Sequence, residues 1–473
     1  MPKKVDSQEE TAVTLVSPVQ THTLPTQERM DMGKEARKRV PREMQAMWTP
    51  PENRVDPIEL LIASSEGRIE NLVPIRYSRM MASPFAFYRG SASIMAHDLS
   101  HTPNSGLNLQ ICGDCHLLNF GGFATPERKL VFDINDFDET SLAPWEWDVK
   151  RLAASMVIAG QSNGFKASES RKAAWLAAQS YRERMAEFSQ MTVLETWYEA
   201  IDLDETLDNT PDKEMAKFYR KKLNAAMEQS TREKEFAKLA HADSLPARII
   251  DHPPLIYHIT TMHDEEFRHI AERTFASYKE SLPPALHLLL DRYRVDDVAF
   301  KVVGVGSVGT MCGILLLMSN DEPLFIQFKE ARQSVLEPYA GVSRYAHAGQ
   351  RVVNGQRLMQ AASDMFLGWA TGGGDEKRPF YMRQLRDAKI KPVGEVMKPA
   401  NLQGYARLCG QALARAHARS GDALVLASYM GKNNKFEDAL ADFAVAYAKQ
   451  NEQDYQALVT AVRDGRIQAQ TEE

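Results

Sequence analysis

Cysteine is scarce in this sequence: only Cys112, Cys115, Cys312 and Cys409 occur in 473 residues. Four scattered cysteines exclude a disulfide framework, and the Cys112/Cys115 pair has no second pair to complete a zinc site, so all four are read as reduced thiols. Long apolar runs are missing too. No uninterrupted stretch of about 18 apolar residues is there to span a bilayer, and the opening MPKKVDSQEETAVTLV lacks the apolar segment of a signal peptide. A soluble, unprocessed, cytoplasmic chain with no membrane partner is expected. Basic charge is not in excess: the formal net charge is −6 and the pI is near 6.1. Such a balance offers no overall field to attract nucleic acid, which argues against that partner class.

What is present is a globular composition, 44% hydrophobic and 25% charged, in a chain long enough for roughly two or three domains. Residues 1–50 are rich in Lys, Glu, Gln, Thr and Pro with little apolar periodicity, and read as a mobile arm holding one short helix around Gly33 to Met47. Residues 51–295 read as a helical lobe. Within it Ser83 and Pro84 have the character of an N-cap and first helical residue, and the apolar runs LNLQIC and KLVFDI read as strands holding the loop GDCHLLNFGGFATPER between them. Residues 296–390 turn β-rich and glycine-punctuated in VAFKVVGVGSVGTMCGILLLMS, PLFIQFKEA, DMFLGWAT and RPFYMRQLRD, with a helical stretch around Gln350 to Ala362 between them. A small, mainly antiparallel sheet is expected there. Residues 391–473 supply two further helices, expected to pack on the helical lobe.

The sharpest chemical signal is G-D-C-H-L-L-N at 113–119, followed by the acidic run FDINDFDE at 132–139. Magnesium asks for hard oxygen ligands, and a hydroxyl nucleophile asks for a carboxylate to orient it and accept its proton. Asp114, Asn119 and an aspartate of the acidic run supply that set. Downstream, Gly304, Gly306 and Gly309 form G-V-G-S-V-G between two strand-like runs, and Lys329 lies in FIQFKEA. Glycines let backbone amides approach a phosphate closely, and a lysine on the adjacent strand neutralises phosphate charge. A dinucleotide turn would need a helix next, whereas TMCGILLLMS reads as a strand, so a glycine-rich hairpin is expected.

The run at 113–139 resembles the catalytic loop and metal-binding segment of the protein-kinase-like superfamily, in particular its aminoglycoside and choline kinase branch. The stretch from MASPFAFYRG through PWEWDVKRLAAS, and much of the chain beyond it, is also similar to a bacterial family, domain of unknown function 2252. The first resemblance implies a two-lobe α+β fold that binds ATP and Mg²⁺. It assigns Asp114 as catalytic base, Asn119 as metal ligand and Asp148 as the helix residue bracing the loop. Asp136 has the better spacing to Asp148 for the second metal ligand, with Asp133 next and Asp138 third. Because the loop near residue 114 precedes the glycine hairpin, the lobes stand in circularly permuted order, and the stretch FYMRQLRD followed by GYARLCGQALARAHA resembles the strand, hinge and helix that lead into the catalytic loop.

Glu337, eight residues after Lys329, is the expected partner of that lysine. His116 has a structural role in its loop, and Arg76, Arg79 and Arg89 either neutralise a substrate phosphate or brace acidic loops. The resulting expectation is an ATP- and Mg-dependent phosphotransferase acting on a hydroxyl acceptor, a small molecule rather than a protein. Alternatives are a catalytically silent nucleotide-binding module and AMP transfer on the same fold. A dinuclear metallophosphoesterase would use the D-x-H of Asp114 and His116, but the chain has neither a G-N-H segment after FDINDFDE nor a later G-H-x-H.

Overall fold

The structure, a computed structural model, describes residues 21–470 apart from 210–215, 218–219, 226–238, 242–245, 254, 259–263, 303, 375 and 386–397. Its architecture is α+β, with long helices and small antiparallel sheets.

The helical body is built where small residues let backbones approach. Nine of its helices are α1 (Thr26–Arg39), α2 (Pro84–Gly90), α3 (Glu146–Ser162), α4 (Ala167–Phe188), α5 (Asp264–Glu280), α6 (Ala348–Met359), α7 (Pro399–Ser420), α8 (Ala423–Met430) and α9 (Lys435–Arg463). Ala173, Ala177, Ala406 and Ala414 are all buried between α4 and α7, and a Cβ on Gly410 would lie 2.2 Å from the Ala177 carbonyl. Trp145, fully buried, stacks on Tyr181 and Phe436 and closes the same core. Each such buried large side chain contributes roughly 1.5–3 kcal/mol of apolar transfer.

The expected mobile arm is corrected from residue 21 onward; residues 1–20 lie outside the described residues. α1 lies against α8, where a Cβ on Gly33 would stand 2.2 Å from the Val425 carbonyl and Ala36 has no exposure. Arg29 adds a salt bridge of 2.7 Å to the buried Asp422. A contact made through glycine, alanine and one ion pair leaves almost no apolar periodicity, which is why composition reads as a tail. Ser83 does cap α2, its Oγ accepting from Ala86 N at 3.0 Å.

Four short strands frame the G-D-C-H-L-L-N loop. β1 (Asn108–Ile111) pairs with β4 (Ser141–Pro144), and β2 (Phe120–Ala124) pairs with β3 (Leu130–Ile134), all antiparallel. Because Ile111 faces Ser141 across the first pair, residues 112–140 form one excursion with clamped ends. The strand β2 lies inside the stretch read as a loop; its FGGFA sequence carries two glycines, which weaken any strand signal.

The larger sheet has six strands: β5 (Ile256–Tyr257), β6 (Arg294–Lys301), β7 (Cys312–Ser319), β8 (Glu322–Glu330), β9 (Gly368–Thr371) and β10 (Pro379–Gln384). Their spatial order is β9-β10-β8-β7-β6-β5, every neighbouring pair antiparallel. The register sets Lys329 opposite Cys312 on one side and Tyr381 on the other. One face, with Val298, Leu315, Ile326 and Met382, packs on α5. A cavity of about 450 Å³ on that face is lined by Phe300, Phe328 and Phe380. Successive strand residues alternate faces, so Lys329, next to Phe328, belongs to the opposite one.

Candidate active site

Gly113 shapes the start of the loop. Its φ is +84°, and a Cβ there would lie 2.3 Å from the Glu139 carbonyl, so no other residue fits. The two amides at this corner, Cys112 N and Gly113 N, donate to the two carboxylate oxygens of Asp148 at 2.8 and 2.9 Å. Asp148 therefore braces the loop backbone from α3, and His417 Nε2 of α7 reaches it at 3.2 Å. Three residues on, one helical turn, Arg151 holds the Asp114 carboxylate: its Nε donates to Oδ1 at 2.6 Å. Arg151 and His417 were not singled out from sequence, since a single arginine or histidine in a helix carries no motif; the i, i+3 spacing of Asp148 and Arg151 is the only signal.

Asp114 keeps 22% of its side chain exposed, against 2% for Arg151. Burial pushes its carboxyl above the usual range, Arg151 draws it back and the Asp136 charge adds to the rise. Asn119 is buried, and its amide nitrogen donates to the Asp114 carbonyl at 2.6 Å. His116 Nδ1 accepts from Leu118 N at 3.2 Å, and its Nε2 lies 3.9 Å from Asp114 Oδ2. Tyr405 Oη of α7 donates to the Leu117 and Phe120 carbonyls at 2.9 and 3.0 Å, fixing the far end of the loop.

The three acidic-run aspartates part company. Asp133 has no exposure, accepts from Arg415 Nη2 at 2.7 and 2.8 Å, and takes Ala361 N on Oδ2 at 2.8 Å. A carboxylate so enclosed has no lone pair to offer a metal, so the expected role of Asp133 as a ligand is corrected to a structural clamp. Asp138 meets Lys329, Nζ to Oδ2 at 2.7 Å, across 191 residues of sequence. Its Oδ1 is buried with no hydrogen-bond partner among the described residues. Asp136 lies between these groups electrostatically: its charge acts on Asp114, Lys329, Arg89 and Arg383. Burial works against the Lys329 charge, but Asp136 and Asp138 outweigh it and raise that pKa well above the ordinary value. Tyr381 stands 5.4 Å under the ammonium as a cation–π neighbour.

Glu337 is corrected likewise. It accepts from Gln333 Nε2 at 3.0 Å and lies 3.9 Å from Arg351 Nε, so it braces its own turn, and the carboxylate beside Lys329 is Asp138. The glycine hairpin does join β6 to β7, with Gly304 and Gly309 at φ of +65° and +85°. Its carbonyls are pinned from the helical side: Arg68 Nη1 donates to Gly306 O and Val308 O at 2.8 and 2.6 Å, and Arg79 donates to Gly304 O. Cys112, Cys115 and Asp148 approach within 4.8 Å of one another; burial pushes both thiols up, Cys115 to about 11, and both Asp148 oxygens are taken by the Cys112 and Gly113 amides.

No curated protein and no solved structure matches the chain. The model of a family described as "Uncharacterized protein conserved in bacteria (DUF2252)" matches residues 68–461, and the chain belongs to that family.

Proposed function

We propose that this protein is an ATP- and Mg-dependent phosphotransferase of permuted protein-kinase-like architecture, acting on a hydroxyl group of a small molecule. The observation that carries the reading is the 2.7 Å contact of Lys329 with Asp138, which joins the glycine-hairpin sheet to the Asp114 loop region. A glycine loop between two strands and a lysine on the next strand is the arrangement with which kinases hold the phosphates of ATP. The departure is that Lys329 has an aspartate of the acidic run as its neighbour instead of a helix glutamate.

The donor set suits magnesium: hard carboxylate and amide oxygens, and a buried Asp138 Oδ1 that a cation would satisfy. Asn119, Asp136 and Asp138 would hold the ion, which would neutralise phosphate charge. Asp114, aligned by Arg151, accepts the proton of the acceptor hydroxyl as its oxygen bonds to the γ-phosphorus and the bond to the bridging oxygen of ADP breaks. The phosphoesterase alternative asks for several histidines around Asp114, whereas His116 at 3.9 Å is joined there by Arg151, Arg89 and Asn119.

Calorimetric titration with Mg–ATP tests the reading. Binding should require magnesium and weaken roughly ten- to hundred-fold in Lys329→Ala and in Asp136→Ala. No binding to the folded wild type would remove the proposal.

A further inference from the structure

Resting on the phosphotransferase reading, we infer that the acceptor is itself a phosphate monoester, its dianionic group held in an arginine-lined cavity beside the reaction centre. The cavity, about 270 Å³, lies between the glycine hairpin and Asp138 and is lined by Arg68, Arg76, Arg89 and Arg332. Its size fits a small polar group, not a polymer segment.

Guanidinium charge in this cavity is only partly compensated. Arg76 is 2% exposed, yet its hydrogen-bond partners among the described residues are all neutral: Ser65 Oγ at 2.7 Å, Gly90 O at 2.9 Å and Ser64 Oγ at 3.2 Å, with Nε left without one. Among the described residues, the side chains of Arg68 and Arg332 donate only to backbone carbonyls. Arg89 donates to no described residue, and its buried Nε has no partner. Among the described residues, none of the four makes an ion pair with a carboxylate. The acidic groups at the wall are engaged elsewhere: Asp138 with Lys329, Glu139 with Val335 N, Glu330 with Met311 N and Arg378. Burial lowers the pKa of Arg68, Arg76 and Arg89, and the mutual repulsion of Arg68, Arg76 and Arg332 lowers it further at Arg68 and Arg76, while Glu139 and Glu330 offset part of this at Arg68 and Asp114 and Asp136 part of it at Arg89. A buried charge is costly unless paired, and several guanidiniums converging on one space match a dianion with three equivalent oxygens better than a carboxylate. Arg89, which also feels Asp114 and Asp136, links the cavity to the base.

The probes are inorganic phosphate and glycerol phosphate, titrated calorimetrically into the full chain, with Mg–ATP titrated separately. Wild type is compared with Arg89→Gln, Arg332→Gln and Lys329→Ala, each first checked for a cooperative melt. The Nε of Arg89 has no hydrogen-bond partner among the described residues, so Arg89→Gln breaks no hydrogen bond at that atom. Both phosphates should saturate one site, and each arginine variant should weaken them roughly ten- to hundred-fold. Lys329→Ala should retain phosphate binding, and Arg332→Gln should leave Mg–ATP affinity unchanged. Phosphate binding that is absent in folded wild type, or lost in Lys329→Ala and kept in the arginine variants, overturns the inference. A parallel loss of Mg–ATP affinity in Arg332→Gln gives the cavity to the nucleotide and overturns the acceptor assignment. Arginine-dependent phosphate binding without any Mg–ATP binding upholds the anion site while removing the phosphotransferase reading.

Discussion

Asp114 stands where two demands on a carboxylate meet. It must be reachable, which its partial exposure allows, and it must be oriented, which Arg151 accomplishes by taking Oδ1 and leaving Oδ2 with His116 at 3.9 Å. Asp114→Asn keeps the shape and removes the proton acceptor of the proposed reaction. ATP turnover with water as acceptor should fall by roughly 10²–10⁴ with Mg–ATP affinity preserved; undiminished turnover in that variant would take Asp114 out of the chemistry. The same logic separates the acidic-run residues: burial and pairing decide which carboxylate has oxygens to spare, and neither quantity is visible in the string FDINDFDE.

At the level of elements, the loop is positioned by its ends. Gly113→Ala places a methyl against the Glu139 carbonyl at a positive φ, so the chemical denaturation midpoint should drop by an amount equivalent to about 1–3 kcal/mol, or more if the corner cannot shift. A Gly113→Ala variant of wild-type stability would show that the corner relaxes freely. The edge of the larger sheet offers a pH-dependent device. His258 Nε2 lies 3.0 Å from Asp297 on β6, and its Nδ1 lies 2.7 Å from Asp251. The Asp297 hydrogen bond raises the histidine pKa, with burial opposing it and Asp251 adding to it. A raised folded pKa means the stabilisation is fully present below the unfolded value of about 6.5 and is lost as pH rises through the folded one. Thermal melts should therefore show wild type losing stability above that pH relative to His258→Gln, and parallel pH profiles for the two would refute the ion pair.

For the whole molecule, one buried pair ties three distant segments. Arg415 on α7 donates to Asp133 on β3 and to the Met359 carbonyl at the end of α6, while Asp133 also accepts from Ala361 N. Removing the aspartate leaves a buried guanidinium without its counter-charge. Asp133→Ala should thus cost about 3–5 kcal/mol in denaturant unfolding, with Mg–ATP affinity unchanged wherever the variant still folds; a stable variant with lost nucleotide binding would return Asp133 to the metal site. The sequence by itself determined the elements with strong local pattern: the strands around VAFKVV, GILLLMS and PLFIQFKEA, the capped turn at Ser83, the long terminal helices and the G-D-C-H-L-L-N loop, because periodicity, caps and turn residues act over a few neighbours. It also carried Asp114, Asn119 and Lys329 as candidates, since their types and spacing suffice. Tertiary structure alone decided that Asp138 and not Glu337 meets Lys329, that Asp133 is a clamp, that residues 21–50 pack, and that Arg151 aligns Asp114. Those outcomes depend on contacts between residues tens to hundreds of positions apart, and on which groups lose water when the chain closes, neither of which is encoded in local pattern.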